Sequence, residues 1–454
     1  MTTDTSSYLR LRPIALILGL ALTWPATVIA ESAAAEDAAA EADAAAPTLQ
    51  ALDVDLGDPL DTVERQIDTR EYEAALPWLE AHIESIEAGS HRFDDRLVRP
   101  LTLLGDALSG LGRYDEALDH YQRAVHLTRV NQGLTAPEQV AIVYREANAY
   151  KALGDWQQAN GREEYAYHVL TRAHDPLDEA LLPGIYHLAG WYQSINNVFA
   201  ARSLYERAVG ILDTHGKGSS IAAIPALQGV ALSYRLERFP RFYAADLDAS
   251  SSVMPTSTLS QPMSVNNFPA GEAALQKVIQ IRQEQQPDNP VALAEAVLDL
   301  ADWYTLFEKD RRAEPLYGHA WQILAAAPGV DAASYFANPL LLFYPAPSPP
   351  SLPPPEQRGE PITGFVEVAF AVTSDGLVRD LNTVASEPSG LMDFRVRKSL
   401  RLARYRPMLV DGVPVAKPAH TYRHEFPYFA ELSQEAEDGA AEAVEQAAAA
   451  GDLQ

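Results

Sequence analysis

His420 and His424, four residues apart, are the side chains in this sequence whose type and spacing come nearest to a metal pair. On a helix that spacing would put two imidazoles on one face. Here they fall in residues 421–429 and just before, a stretch that alternates as a strand and lacks helical ligand geometry. No matching acid or third histidine accompanies them, so no metal is expected. Gly110-Leu111-Gly112 is too little for a dinucleotide loop, because it sits at a helix–helix turn and not after a strand. The chain has no Gly-x-Ser-x-Gly elbow and no phosphate loop, and its cysteine count of 0 removes thiol nucleophiles, disulfides and thiolate metal sites. No enzyme activity, catalytic residue or cofactor is therefore expected. What remains is recognition. Tyr422, His424, Phe426 and Tyr428 share one side of the last strand, and Pro427, which has no N–H, marks that strand as an edge able to bind a partner. Arg395, Lys398 and Arg401 form a basic helix face suited to steering an acidic partner.

These residues need a scaffold, and the sequence describes one. Val366, Val368, Phe370 and Val372 alternate with Phe365, Glu367, Ala369 and Ala371, the period of a half-buried strand. Asp375-Gly376 supplies a tight turn into a second strand at 377–384. After Pro388 and Gly390, the residues Met392, Val396, Ser399, Leu400 and Ala403 fall on one helix face, with Arg395, Lys398 and Arg401 facing water. Asp411-Gly412 marks another turn before the strand at 421–429. Residues 362–430 thus read as a small α+β module: a hairpin, a helix and a closing strand.

That order resembles the C-terminal domain of TonB-type energy transducers. The matching phrases are GFVEVAFAVTSDGLV (364–378), SEPSG (386–390), ARYRP (403–407) and DGVPV (411–415). The resemblance implies a periplasmic domain that grips outer-membrane proteins, partly by adding a strand to its own sheet.

The middle of the chain is repetitive. Leu101, Leu104, Gly105, Leu108, Gly112, Tyr114, Ala117, Tyr121 and Ala124 describe two antiparallel helices with small residues where they approach closely, and this closely resembles a tetratricopeptide repeat. The pattern recurs from Val143 to Ala166, from Ile185 to Ala208 and from Val297 to Ala320. Tyr72 and Ala75 fit half of a degenerate first unit. Ala75, Ala117, Ala159 and Ala201 are spaced by 42 residues, longer than the ~34 of the commoner repeat. One unit is interrupted, its first helix carrying Leu227, Val230, Ala231 and Tyr234 and its second Ala273, Lys277 and Ile281. The insertion at 237–267, rich in Ser, Pro and Asn, is either a plain flexible loop or a functional one. The expected architecture is an α-solenoid of about six such hairpins over 55–327, followed by the module. The solenoid's concave face is expected to take a peptide or a partner helix. A proline-crowded segment at 337–361 reads as a semi-stiff spacer, or else as a proline-motif docking site.

Arg10 and Arg12 precede an apolar run at 14–24, with a small-residue cleavage site at Val28-Ile29-Ala30. Residues 1–30 therefore read as a signal peptide for the periplasm, or alternatively as an inner-membrane anchor. Without cysteine, lipidation at a terminal cysteine is excluded. The net charge of −27 disfavours nucleic acid as a partner, because phosphates would be repelled. Part of the acid lies in the Ala/Glu/Asp tracts at 31–54 and 431–454, expected to be solvated linker and tail. Over residues 358–428 there are 10 Lys/Arg against 8 Asp/Glu, so the module is close to neutral.

Two functions follow as expectations. One is TonB-like coupling of the cell envelope to outer-membrane transport proteins, through an extended partner segment added to the module. The other is a non-energised periplasmic scaffold for envelope proteins. The second is favoured by two departures from the transducer pattern: residues 14–30 carry no histidine, and helical repeats replace the long proline-rich span.

Overall fold

Small residues at a fixed interval let helices pack in pairs, and the computed structural model shows six such pairs. It describes residues 58–240, 267–345, 347, 348, 350 and 361–429. The pairs are α1 (Pro59–Asp68) with α2 (Tyr72–Gly89), α3 (Val98–Gly110) with α4 (Tyr114–Gln132), and α5 (Val140–Ala152) with α6 (Trp156–Ala173). They continue as α7 (Leu182–Ser194) with α8 (Val198–Thr214), α9 (Ile224–Arg238) with α10 (Phe268–Gln285), and α11 (Pro290–Leu306) with α12 (Asp310–Ala326). Ala75, Ala117, Ala159 and Ala201 are all 0% exposed, each the fourth residue of the second helix of its pair.

The turn between partners is as regular as the alanines. Arg70, Gly112, Gly154, Asn196 and Glu308 each take a positive φ, between 57° and 78°. The amide after each left-handed residue reaches back to close the helix, as from Arg113 to Leu108 O, Asp155 to Tyr150 O, Asn197 to Tyr192 O and Lys309 to Tyr304 O. Glycine adopts this backbone without strain, which explains Gly112 and Gly154. Gly105 serves a different need, since a Cβ there would run into the Tyr121 ring.

The insertion expected at 237–267 falls between α9 and α10, almost wholly outside the described residues. The terminal stretches 1–30, 31–54 and 431–454 also lie outside them. Among the described residues no helix is long and apolar enough to cross a membrane.

The C-terminal part contains a short helix α13 (Ala332–Tyr335) and strands β1 (Leu340–Phe343), β2 (Ile362–Val372) and β3 (Val378–Glu387). Then come helix α14 (Asp393–Leu400) and strands β4 (Arg404–Arg406), β5 (Met408–Val410), β6 (Val413–Val415) and β7 (Lys417–Tyr428). The main sheet has the order β3-β2-β7, antiparallel throughout. Its core packs Val366, Val368, Phe370 and Val372 under Met392, Val396 and Leu400 of the α14 region. The expected strands at 377–384 and 421–429 are present but longer. Pairing with β2 carries β3 on to Glu387 and starts β7 at Lys417.

The described residues of 337–361 depart from the expected spacer. Leu340–Phe343 forms β1, which pairs with β4 in the register Leu340↔Arg406, Leu341↔Tyr405 and Phe343↔Arg404. Pro347 and Pro350 are buried, and the Ser348 carbonyl accepts a hydrogen bond from Arg395 at 3.2 Å. The physical reason is that four apolar residues beside prolines carry no strand signal alone, and their ladder partner lies over 60 residues away.

Candidate partner-binding surfaces

Strand β7 is an edge. Its register with β2 runs unbroken from Ile362↔Tyr428 to Phe370↔His420, and among the described residues no other strand pairs with it. Alternation sends Tyr422, His424, Phe426 and Tyr428 to one side, and that side is the core: His424, Phe426 and Tyr428 are buried and Tyr422 is half-buried. Tyr344, just past β1, closes over them, its ring centroid 5.0 Å from Tyr422 and 5.6 Å from His424. The four residues named from the sequence therefore hold the strand in place, and the outer edge itself consists of backbone.

Pro427 fixes the phase of that edge. Proline is tolerated in a ladder where its missing N–H points away from the paired strand. Residues of the same parity, Thr421, Arg423 and Glu425, then turn their N–H and C=O groups outward. Their side chains are exposed on the face opposite the core. Arg423 lies over the Phe365 ring at 3.4 Å and donates from Nε to Glu425 Oε1 at 3.2 Å.

Burial pushes the His424 imidazole down to about 4, since a charged ring would lose its hydration there. His420 is lowered by burial first and by Lys417 second. Its ring stands edge-on to Phe370 and Tyr405 at 5.3 and 5.5 Å. Among the described residues no group of three or more His, Cys, Asp or Glu is placed to hold a metal ion. Gly110 and Gly112 lie at the α3–α4 junction, Gly110 packed against the Tyr72 ring.

The basic helix face divides. Lys398 and Arg401 are exposed, whereas Arg395 is half-buried and tied to the proline segment through Ser348. Arg395 was expected to face water; instead it donates to the Ser348 carbonyl at 3.2 Å.

A further set of residues was not singled out from the sequence. Arg406 of β4 makes a two-point contact with Asp302 of α11, Nε to Oδ1 at 2.9 Å and Nη2 to Oδ2 at 2.7 Å. Tyr317 donates to Asp302 at 2.9 Å and exchanges a 2.9 Å hydrogen bond with Thr305. Burial works against the Arg406 charge, and Asp302 more than offsets it, so the guanidinium pKa is raised. Arg404 reaches Glu308 at 2.7 Å, Arg235 of α9 donates to the Leu342 carbonyl at 2.7 Å, and the Leu409 amide donates to Phe336 O at 3.2 Å. The module is thus seated on the last helices of the array. Asp302, an acid inside an apolar helical stripe, was the available signal, because a buried carboxylate requires a partner.

The tetratricopeptide repeat family matches residues 101–133. Protein KINESIN LIGHT CHAIN-RELATED 2 of Arabidopsis thaliana is 29% identical over 177 residues, 38% of this chain and 26% of that protein. Protein TonB of Pseudomonas aeruginosa is 34% identical over 70 residues, 15% of this chain and 20% of that protein. The crystal structure of BtubC (BKLC) from P. vanneervenii superposes with a TM-score of 0.38 at 16% identity, covering 59% of this chain and 93% of that one. The chain spans about a quarter of the length of the first of these relatives. It is a helical-repeat solenoid containing a match to the tetratricopeptide repeat family, followed by a small strand-rich region, with a C-terminal part similar to TonB.

Proposed function

We propose that this chain is an interaction protein of the bacterial cell envelope that takes an extended segment of an outer-membrane protein as an added strand on β7. The observation that carries this reading is that β7 pairs on one side only among the described residues, with its inward side chains committed to the core. An incoming segment would gain its affinity from main-chain hydrogen bonds to the outward groups at Thr421, Arg423 and Glu425. The similarity to TonB supports the choice of partner class, and the apolar, arginine-led N-terminus supports export to the periplasm. The solenoid supplies a second binding surface for a peptide or a partner helix.

Arg423→Pro tests the strand-addition step. At an outward position proline leaves the β2–β7 ladder intact and deletes a donor that the partner needs. In the full-length chain this variant is expected to melt like the parent but to lose cross-linking, through a photo-reactive residue at Thr421, to outer-membrane proteins. Undiminished cross-linking by the folded variant refutes the proposal.

A second reading, a scaffold without energy coupling, is favoured by the seating of the module on the array instead of at the end of a long proline-rich span. Mapping the N-terminus of the protein in cells separates the two. A chain beginning near Glu31 and released by osmotic shock supports the scaffold; an intact N-terminus in the inner membrane supports coupling.

A further inference from the structure

The contact between module and array has a counterpart within the array. Asp106 of α3 accepts from Tyr121 OH, 15 residues later, at 2.7 Å. It also accepts from Arg145 Nε, on the first helix of the next pair, at 2.8 and 3.0 Å. Asp302 of α11 accepts from Tyr317 OH, again 15 residues later, and from Arg406. Asp106 and Asp302 each follow the small residue of their helix stripe, Gly105 and Ala301. The second helix contributes the tyrosine in both cases, and the unit that follows contributes the arginine. No seventh helical pair follows α12 among the described residues. The arginine comes instead from β4.

We infer that the C-terminal module is the terminal cap of the repeat array, seated where a further repeat would stack and held by a copy of the ion pair that joins the α3–α4 unit to the α5–α6 unit. A solenoid buries each unit only against its neighbours, so its last unit requires a cover. The rest of the junction has the character of such a cover. The β5–β6 turn at Gly412 lies beside Trp321 of α12, and the Gly376 turn lies beside Thr305 of α11. Phe343 of β1 stands edge-on to Phe239 at 5.1 Å, and Phe239 to Phe307 at 5.3 Å. The cap pair is the more enclosed of the two, with side-chain exposures of 12% and 6% for Arg406 and Asp302 against 40% and 20% for Arg145 and Asp106. The last repeat is thereby occupied in cis. Whatever engages β7 acts on a tip joined to the array, not on one hung from a tether. This inference does not depend on which partner β7 takes.

Amide hydrogen exchange on the full-length chain tests it with Arg406→Ala, Asp302→Asn and Arg145→Ala. Removing one partner of a buried pair leaves the other charge stranded, so both cap variants are expected to accelerate exchange in α11, α12 and β4–β6 together, on the order of a hundred-fold. Helices α1–α6 are expected to keep their protection in both. Arg145→Ala is expected to give the same kind of response in α3–α6 and none in the module. Asp302→Asn leaves the module's own sequence untouched. If it accelerates exchange in α11 and α12 but not in β4–β6, or if Arg406→Ala disturbs the module alone, the module is a bystander and the inference fails.

Discussion

Acidification is expected to loosen the C-terminal module, mainly through the buried His424 ring. His424 is 4% exposed, against Tyr344 and Phe426, and its pKa is depressed to about 4 from 6.5. The folded state therefore binds fewer protons than the unfolded state across that interval, and stability falls as pH drops through it. Above the unfolded pKa the contribution is complete; between 6.5 and about 4 it is progressively lost. At ~1.4 kcal/mol per pKa unit the whole loss is about 3 kcal/mol, of which about 2 kcal/mol is gone by about pH 5. His420, lowered by burial and Lys417, adds in the same direction. The assay is urea unfolding of the full chain at about pH 8 and about pH 5, with the module followed by pulse proteolysis. His424→Phe keeps an aromatic ring in the same space and removes the titration. It should narrow the gap between the two conditions by about 2 kcal/mol relative to the parent. An unchanged gap, or an NMR titration that places the His424 ring near its ordinary value, would refute the reasoning.

Three further outcomes are expected from the packing. Gly105→Ala drives a methyl into the Tyr121 ring, which Asp106 pins at 2.7 Å. Thermal or urea unfolding should show a loss of about 1–3 kcal/mol despite alanine's better helix propensity. Leu181→Ala empties a fully buried site just before α7, and urea midpoints should fall by an amount equivalent to about 2–5 kcal/mol. Gly376→Ala combines a φ of +76° with a collision against the Tyr405 carbonyl. It should open both the β2–β3 turn and the neighbouring β4 pairing, visible as faster amide exchange at residues 372–378 and 404–406, whereas Gly112→Ala, strained but in open space, should disturb only its own turn.

The distribution of charge fits an interaction role for the module. Most formal charge lies outside it, and its own exposed edge offers Arg423 beside Glu425, a mixed pair that repels neither sign strongly. The proposed strand addition would take its affinity from the backbone and its selectivity from the few outward side chains.

Periodicity alone determined a good deal of this protein. The 42-residue recurrence of Ala75, Ala117, Ala159 and Ala201 specified the first four of the six helical pairs. The alternation through Val366, Val368, Phe370 and Val372, with Asp375-Gly376 after it, specified the β2–β3 hairpin. The buried face of Met392, Val396 and Leu400 specified how α14 lies. Each of these signals is local, because spacing within one element decides which side chains share a face. The tertiary structure decided what depends on residues distant in the chain. Leu340–Phe343 became a strand only because β4 was there to pair with it. Tyr422, His424, Phe426 and Tyr428 lie on one face by alternation, but the sheet order and Tyr344 made that face the core. Asp302 and Arg406, 104 residues apart, met because an array that ends leaves an apolar surface with a buried charge. No local pattern says which later segment will cover it.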